Sequence, residues 1–207
     1  MNTTMVRMSA GHHRHPYRCR GIVGNIDIDP GATLASAAAG NRAAWESLVS
    51  TYAGLVWSVA RSFRLSEADA ADVFQCTWLR LVEHLDDIRD GGRLGGWLAM
   101  TARREALMLL RRTRSSVVTD TIDDAVDTLL PEVDSRLLEN EEIDALRLAF
   151  GGLSMACQRL LRVAFADPPP TYAEISAALD MPIGSIGPSR ARCLVQLRGL
   201  MPDPAND

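Results

Sequence analysis

Apolar side chains recur with a helical period from about residue 34 to residue 63. Trp45, Leu48, Val49, Tyr52, Val56, Val59 and Phe63 fall at i, i+3, i+4, i+7, i+11, i+14 and i+18, one face of an amphipathic helix. Ser66 then stands where an N-cap would, with Asp69 three residues on in the capping-box position. The helix that follows runs to about Leu85 and turns Val73, Phe74, Thr77, Leu81 and Leu85 inward. A loop over 86–96, DDIRDGGRLGG, carries four glycines and both charge signs. A third helix is expected over about 97–113, ending in Arg111, Arg112 and Arg114. No stretch alternates with period two for long enough to make a strand, so the front half reads as a small helical bundle.

The pattern fades over 115–140, which is acidic, weakly periodic and interrupted by Pro131. It resumes at about 141–150 and again at 154–166, where Asp167 and the prolines at 168–170 stop it. Thr171 and Glu174 form a second capping box, opening a short helix through Leu179. After the turn Asp180-Met181-Pro182-Ile183-Gly184, Ser185 is placed to cap a last helix with Pro188 in its first turn. Two short helices joined by a tight turn make a helix-turn-helix, with Ile175, Leu179, Ile183, Ile186 and Leu194 as its packing set. Residues 1–33 show no periodicity and are rich in His, Arg and Gly, so a disordered leader is expected, with Met5 and Met8 as alternative starts. The expected architecture is all-α: two small helical domains, 34–114 and 141–200, joined by an acidic linker over 115–140, the second domain a helix-turn-helix, with a short tail at 201–207.

Composition narrows the function. The chain has 207 residues, 47% apolar and 23% charged, ordinary for a globular protein. No apolar run approaches the ~20 residues of a membrane span, and no signal-type stretch opens the chain, so a cytoplasmic protein is expected. Cys19, Cys76, Cys157 and Cys193 are scattered without a CxxC pair, which argues against a zinc ribbon or a disulfide framework. Cys193 has an adjacent cation, Arg192, but redox control is not expected. His12, His13, His15 and Cys19 are zinc-type ligands, but their spacing matches no known site, and no metal or cofactor is expected. A glycine-rich phosphate loop, an HExxH helix and a nucleophile with its base motif are all missing, which speaks against an enzyme.

Net charge is −4, yet its distribution leaves nucleic-acid binding open. Residues 34–114 carry eleven Arg against nine acids, whereas 115–142 carry nine acids against Arg136 alone. All 22 basic residues are Arg, which a GC-rich genome explains as well as a binding role does. On the last helix, Ser189, Arg190 and Arg192 stand near the N-terminus, the part of a helix-turn-helix that meets base edges in the major groove. Arg pairs bidentately with guanine or clamps a phosphate; the alternative is a helical hairpin with a solvated Arg face. On the third helix, Arg104 and Arg111 lie two turns apart, flanked by Arg103, Arg112 and Arg114, with Trp97 beside the glycine-rich loop. Such a set can grip a single strand, neutralising phosphates and stacking a base; the alternative is a core Trp97 and solvated arginines.

Three stretches resemble a known family. Asp69-Ala70-Ala71-Asp72-Val73-Phe74-Gln75-Cys76-Thr77-Trp78-Leu79-Arg80-Leu81 resembles the core-polymerase-binding helix of bacterial sigma factors. GGWLAMTARREALMLLRR (95–112) resembles their promoter-melting and −10-reading helix, and TYAEISAALDMPIGSIGPSRARCLVQLR (171–198) their −35-reading helix-turn-helix. Length, order and the missing middle domain resemble the extracytoplasmic-function (ECF) class, over about 34–114 and 141–200.

The resemblance implies a transcription initiation factor that docks on core RNA polymerase, reads −35 and −10 promoter elements and traps the melted strand. It implies polymerase contacts at Asp69, Asp72, Gln75 and Arg80, and −10 contacts at Arg93, Trp97, Arg103, Arg104, Arg111 and Arg112. Contacts to the −35 duplex would fall on Thr171, Tyr172, Ser185, Ser189, Arg190 and Arg192. Core RNA polymerase and promoter DNA are the implied partners, with an anti-sigma protein as a further one. Departures from the family pattern are Arg104 where Asn is common, Cys76 for an acid, Asp180 for Gly, and Gly187-Pro188 in the recognition helix. Asp tolerates the left-handed conformation better than most residues. A stand-alone helix-turn-helix regulator, or a helical module whose arginines bind an acidic protein, remains the alternative.

Overall fold

The structure is a computed structural model that describes residues 29–88, 90–117 and 141–202. The expectations for the leader through residue 28, its His/Cys cluster, segment 118–140 and the last five residues fall outside the described residues.

The described residues form helices α1 (Pro30–Ala38), α2 (Arg42–Arg61), α3 (Glu67–Glu83), α4 (Leu94–Val117), α5 (Glu141–Gly151), α6 (Met155–Ala164), α7 (Tyr172–Leu179) and α8 (Ile183–Leu200). The all-α expectation holds among them. α1 begins inside the expected leader: Asp29 caps it by accepting from the Gly31 N–H, and proline opens the helix, a combination suited to an N-terminus. The single pattern read from 34 to 63 is therefore two helices. Gly40, at φ +86, stops α1, and Asn41 caps α2 by accepting from Ala43 and Ala44 N–H.

Ser66 caps α3 through the Asp69 N–H, as its position predicted. α4 extends beyond the predicted 97–113 at both ends, taking in Gly95 and Gly96 and three residues of the expected linker. Val56 and Val59 of α2, Leu81 of α3, and Leu94, Leu98, Ala102 and Ala106 of α4 share one core with no exposure to solvent. Small alanines on α4 let the helices approach closely, and the leucines fill the space between.

In the second group, Thr171 and Glu174 form the predicted capping box. Asp180 adopts the left-handed conformation at φ 58, ψ 46 and ends α7. α8 starts three residues earlier than predicted. Its N-cap is Pro182, and Ser185 instead donates its hydroxyl to the Pro182 carbonyl at 2.7 Å. Pro188 consequently lies inside the helix rather than in its first turn.

The packing set of the helix pair also differs in part. Ile175 and Ile186 are buried as expected, but Ile183 and Leu194 are 53% and 36% exposed. Seven residues beyond Ile186 is Cys193, which returns to the same helical face, whereas Leu194 is rotated well off it. Cys193 is buried there and forms a disulfide with Cys157 of α6. The scattered cysteines thus hide a pair that only the contact between α6 and α8 brings together.

The two helical groups pack on each other, α4 against α7 and α2 against α6. Arg103 pairs with Asp180 at 2.7 Å, Arg64 donates to the Gln158 side chain at 3.2 Å, and the Arg159 guanidinium lies 4.3 Å from the Phe63 ring centre. A Cβ on Gly54 would collide with the backbone carbonyl of Asp167, and one on Gly95 with the Glu174 carboxylate and the Tyr52 ring. Backbone cannot yield as a side chain tip can. Gly54→Ala is therefore expected to cost about 1–3 kcal/mol of overpacking, read as a lower thermal midpoint by calorimetry. An unchanged midpoint would mean that α2 and the Asp167 segment do not touch in solution.

Candidate nucleic-acid interface

The end of α3, the turns at Leu85–Asp87 and Gly91–Arg93, and the first half of α4 enclose an open cavity of about 640 Å³. A Cβ on Gly91 would collide with the backbone of Pro30 and Gly31, so α1 is laid directly on the loop that follows α3. Asp90 holds the turn by accepting from the Gly92 N–H at 3.0 Å, and its other oxygen meets Arg93 Nε at 3.1 Å.

Trp97 is half-buried on the cavity wall, its ring edge-on to His84 at 6.2 Å between ring centres. His84 Nδ1 lies 2.9 Å from an Asp87 carboxylate oxygen, which fixes the imidazole beside the indole. Arg93 and Arg104 are exposed at the cavity rim. Arg80 also lines the cavity; its guanidinium donates to Glu83 at 2.9 Å and to Glu105 at 3.2 Å, and these bonds raise its pKa. A partly exposed indole, arginines at the rim and polar edges inside can stack an unpaired base and hold its phosphates.

The predicted site residues separate into three places. On α3, Asp72 and Gln75 are exposed, while Asp69 is half-buried with its carboxylate accepting from Ser66 Oγ at 2.8 Å. Arg80 turns toward α4 instead of joining Asp72 and Gln75. Their helical face continues through Leu79 and Val82, 62% and 53% exposed, which the sequence reading left out. The signal was available: both fall off the inward stripe Val73, Thr77 and Leu81. Trp97, Arg93 and Arg104 meet at the cavity, but Arg103 leaves it for Asp180, and Arg111 and Arg112 are exposed more than a turn farther along α4.

On the helix-turn-helix, Ser185, Ser189 and Arg192 follow one face of α8, and Arg192 donates to Ser189 Oγ at 3.1 Å. Arg190 points elsewhere, its guanidinium 4.8 Å from the Phe165 ring centre. Thr171 and Tyr172 are exposed at the start of α7, Thr171 being committed to its capping box. Among the described residues no His/Cys/Asp/Glu group is placed to hold a metal, and no helix is long and apolar enough to cross a membrane.

Residues 48–116, which span α2 from Leu48 through the cavity and nearly all of α4, match the family model for Sigma-70 region 2. The chain carries a Sigma-70 region 2 domain. Its fold is shared with CnrH, solved in complex with the cytosolic domain of CnrY, at a TM-score of 0.54 and 21% identity, over 84% of this chain and 97% of that one. The sigma factor RpoE from Bartonella quintana, solved in complex with the anti-sigma factor NepR, matches at a TM-score of 0.54 and 19% identity, over 75% of this chain and 95% of that one. No curated protein matches the sequence significantly.

Proposed function

We propose that the chain is an ECF-type sigma factor: a cytoplasmic, non-enzymatic initiation factor that brings core RNA polymerase to promoters with −35 and −10 elements. The observation that carries this reading is the Trp97 cavity, which lies inside the Sigma-70 region 2 match. The domains are 34–114 for polymerase and −10 binding and 141–200 for −35 binding, with the acidic segment between them as tether.

The surfaces divide the work. Asp72, Gln75, Leu79 and Val82 offer polymerase a polar edge and an apolar strip on one helix face. Asp69 supports that face through its bond to Ser66. Trp97 stacks a flipped −10 base, and unstacking it from the duplex costs a few kcal/mol that the cavity must offset. Arg93 and Arg104 hold the adjoining phosphates, with Arg111 and Arg112 farther along the strand. Ser185, Ser189 and Arg192 enter the major groove at −35, with Thr171 and Tyr172 at the backbone beside it. Packing of α4 on α7, with Arg103 tied to Asp180, holds the two DNA-reading units together until both elements are engaged. The solved neighbours are held by protein partners, and an anti-sigma protein is proposed for this chain on that ground.

Retention of core polymerase on the immobilised chain tests the reading. Binding is expected; a folded chain that retains promoter DNA but no polymerase would instead support the stand-alone regulator. For the DNA contacts, Arg192→Ala is expected to weaken duplex binding and reduce the slope of log K against log salt by about 1. Arg190→Ala is expected to leave that slope unchanged, since its guanidinium is stacked on Phe165. The reverse ranking would exchange the two assignments.

A further inference from the structure

We propose that Cys157 and Cys193 are a peroxide-responsive dithiol–disulfide pair that staples the recognition helix α8 to α6 and so sets affinity for the −35 duplex. The pair is separated by 36 residues in sequence, yet its Cα atoms stand 5.3 Å apart and its sulfurs are bonded. Cα separations of this size are those that a disulfide spans. Both residues are buried, at 8% and 4% exposure, on the contact that positions α8.

The inference rests on the initiation-factor reading for its biological setting. A protein that works with polymerase sits in a compartment kept reducing, where disulfides are transient and redox-sensing rather than permanent. Cys157 is in the first turn of α6, its N–H bonded to Ser154 Oγ at 3.3 Å. Its sulfur lies 3.5 Å from the Gln196 side-chain oxygen on α8. Cys193 follows Arg192 and shares the inward stripe with Ile186. Cys76, by contrast, is exposed on α3 without a disulfide partner.

In the oxidising step the Cys157 thiolate attacks one peroxide oxygen. The O–O bond breaks, the departing hydroxide takes a proton to become water, and Cys157 becomes a sulfenic acid. Cys193 then attacks the sulfenic sulfur, its thiol proton and the expelled hydroxide leaving as a second water. The two thiols supply the two electrons that reduce one peroxide to two waters. A dithiol reductant restores the pair by exchange through a mixed disulfide, itself becoming the disulfide.

Stapled, α8 is anchored near both its start, through Ile186, and its middle. Reduced, the second half of α8 is held by packing alone in a group of about sixty residues, a size at which cores are marginal. The full chain treated with hydrogen peroxide should yield a Cys157–Cys193 cross-linked peptide by mass spectrometry. Its second helical group should melt about 10 °C higher than in the dithiothreitol-reduced chain, and duplex promoter affinity should be several-fold higher. Cys76→Ser should keep both responses. The double variant Cys157→Ala, Cys193→Ala should lose them while remaining folded by circular dichroism, and the single variant Cys193→Ser should lose them too. Failure to form the cross-link, or equal melting of the oxidised and reduced chains, would overturn the proposal. A melting shift with no promoter binding in either state would sustain the redox pair and remove the −35 role instead.

Discussion

Trp97→Ala is expected to slow open-complex formation on duplex promoters by roughly tenfold to a hundredfold, because base–aromatic stacking is worth about 1–3 kcal/mol. The indole is half-buried, so part of its surface is available to a ligand. Its neighbour Leu98 is wholly buried and belongs to the core; truncation there would remove about 2–5 kcal/mol of stability and report on folding instead. Trp97→Ala should leave polymerase affinity intact. On a promoter already unpaired across the −10 element the defect should shrink, since the unstacking cost has been removed beforehand. Stopped-flow fluorescence from a promoter-borne dye checks both. An unchanged rate on duplex DNA would mean that the indole only closes the cavity wall.

Asp72→Arg should reduce affinity for core polymerase by about 30-fold or more, the effect of replacing one charge of a recognised pair being about 2–5 kcal/mol. Asp72 is exposed on α3, so the substitution leaves the core intact and the thermal midpoint should move little. Leu79→Ala on the same face should weaken binding by a smaller factor, through lost apolar contact. Titration of labelled core enzyme separates these outcomes. Equal affinity for the wild-type chain and Asp72→Arg would remove the outer face of α3 from the polymerase interface.

Local chemistry explains which parts of this fold were legible in the sequence. Helices α3 and α7 announce themselves because Ser66 and Thr171 satisfy N–H groups within four residues of chain. Asp180 could be placed in a left-handed turn for the same reason, its conformation being set by its own backbone and neighbours. The break at Gly40-Asn41 was equally local, a helix-stopping glycine followed by a capping side chain, but the apolar stripe running through it masked the punctuation.

What escaped depends on contacts between distant residues. Arg103 reads as a DNA contact from its place on a basic helix, and only the fold brings Asp180 to it across 77 residues. The glycine at 54 looks like an incidental weak point in a helix until Asp167 is seen lying on it. Cys157 and Cys193 read as two isolated thiols until α6 and α8 are packed. The cavity itself was half-visible: Trp97, Arg93 and Arg104 stood out by type, whereas the roles of His84 and Asp87 as its polar wall required the turn after α3.

Run-off transcription on genomic promoter fragments with purified core polymerase tests promoter-directed initiation by this chain. Start sites are expected that arise only when this chain is added, share two spaced upstream elements, and are lost with Asp72→Arg. An active core enzyme that gains no start sites from the folded chain, and does not bind it, would mean that the chain is not an initiation factor.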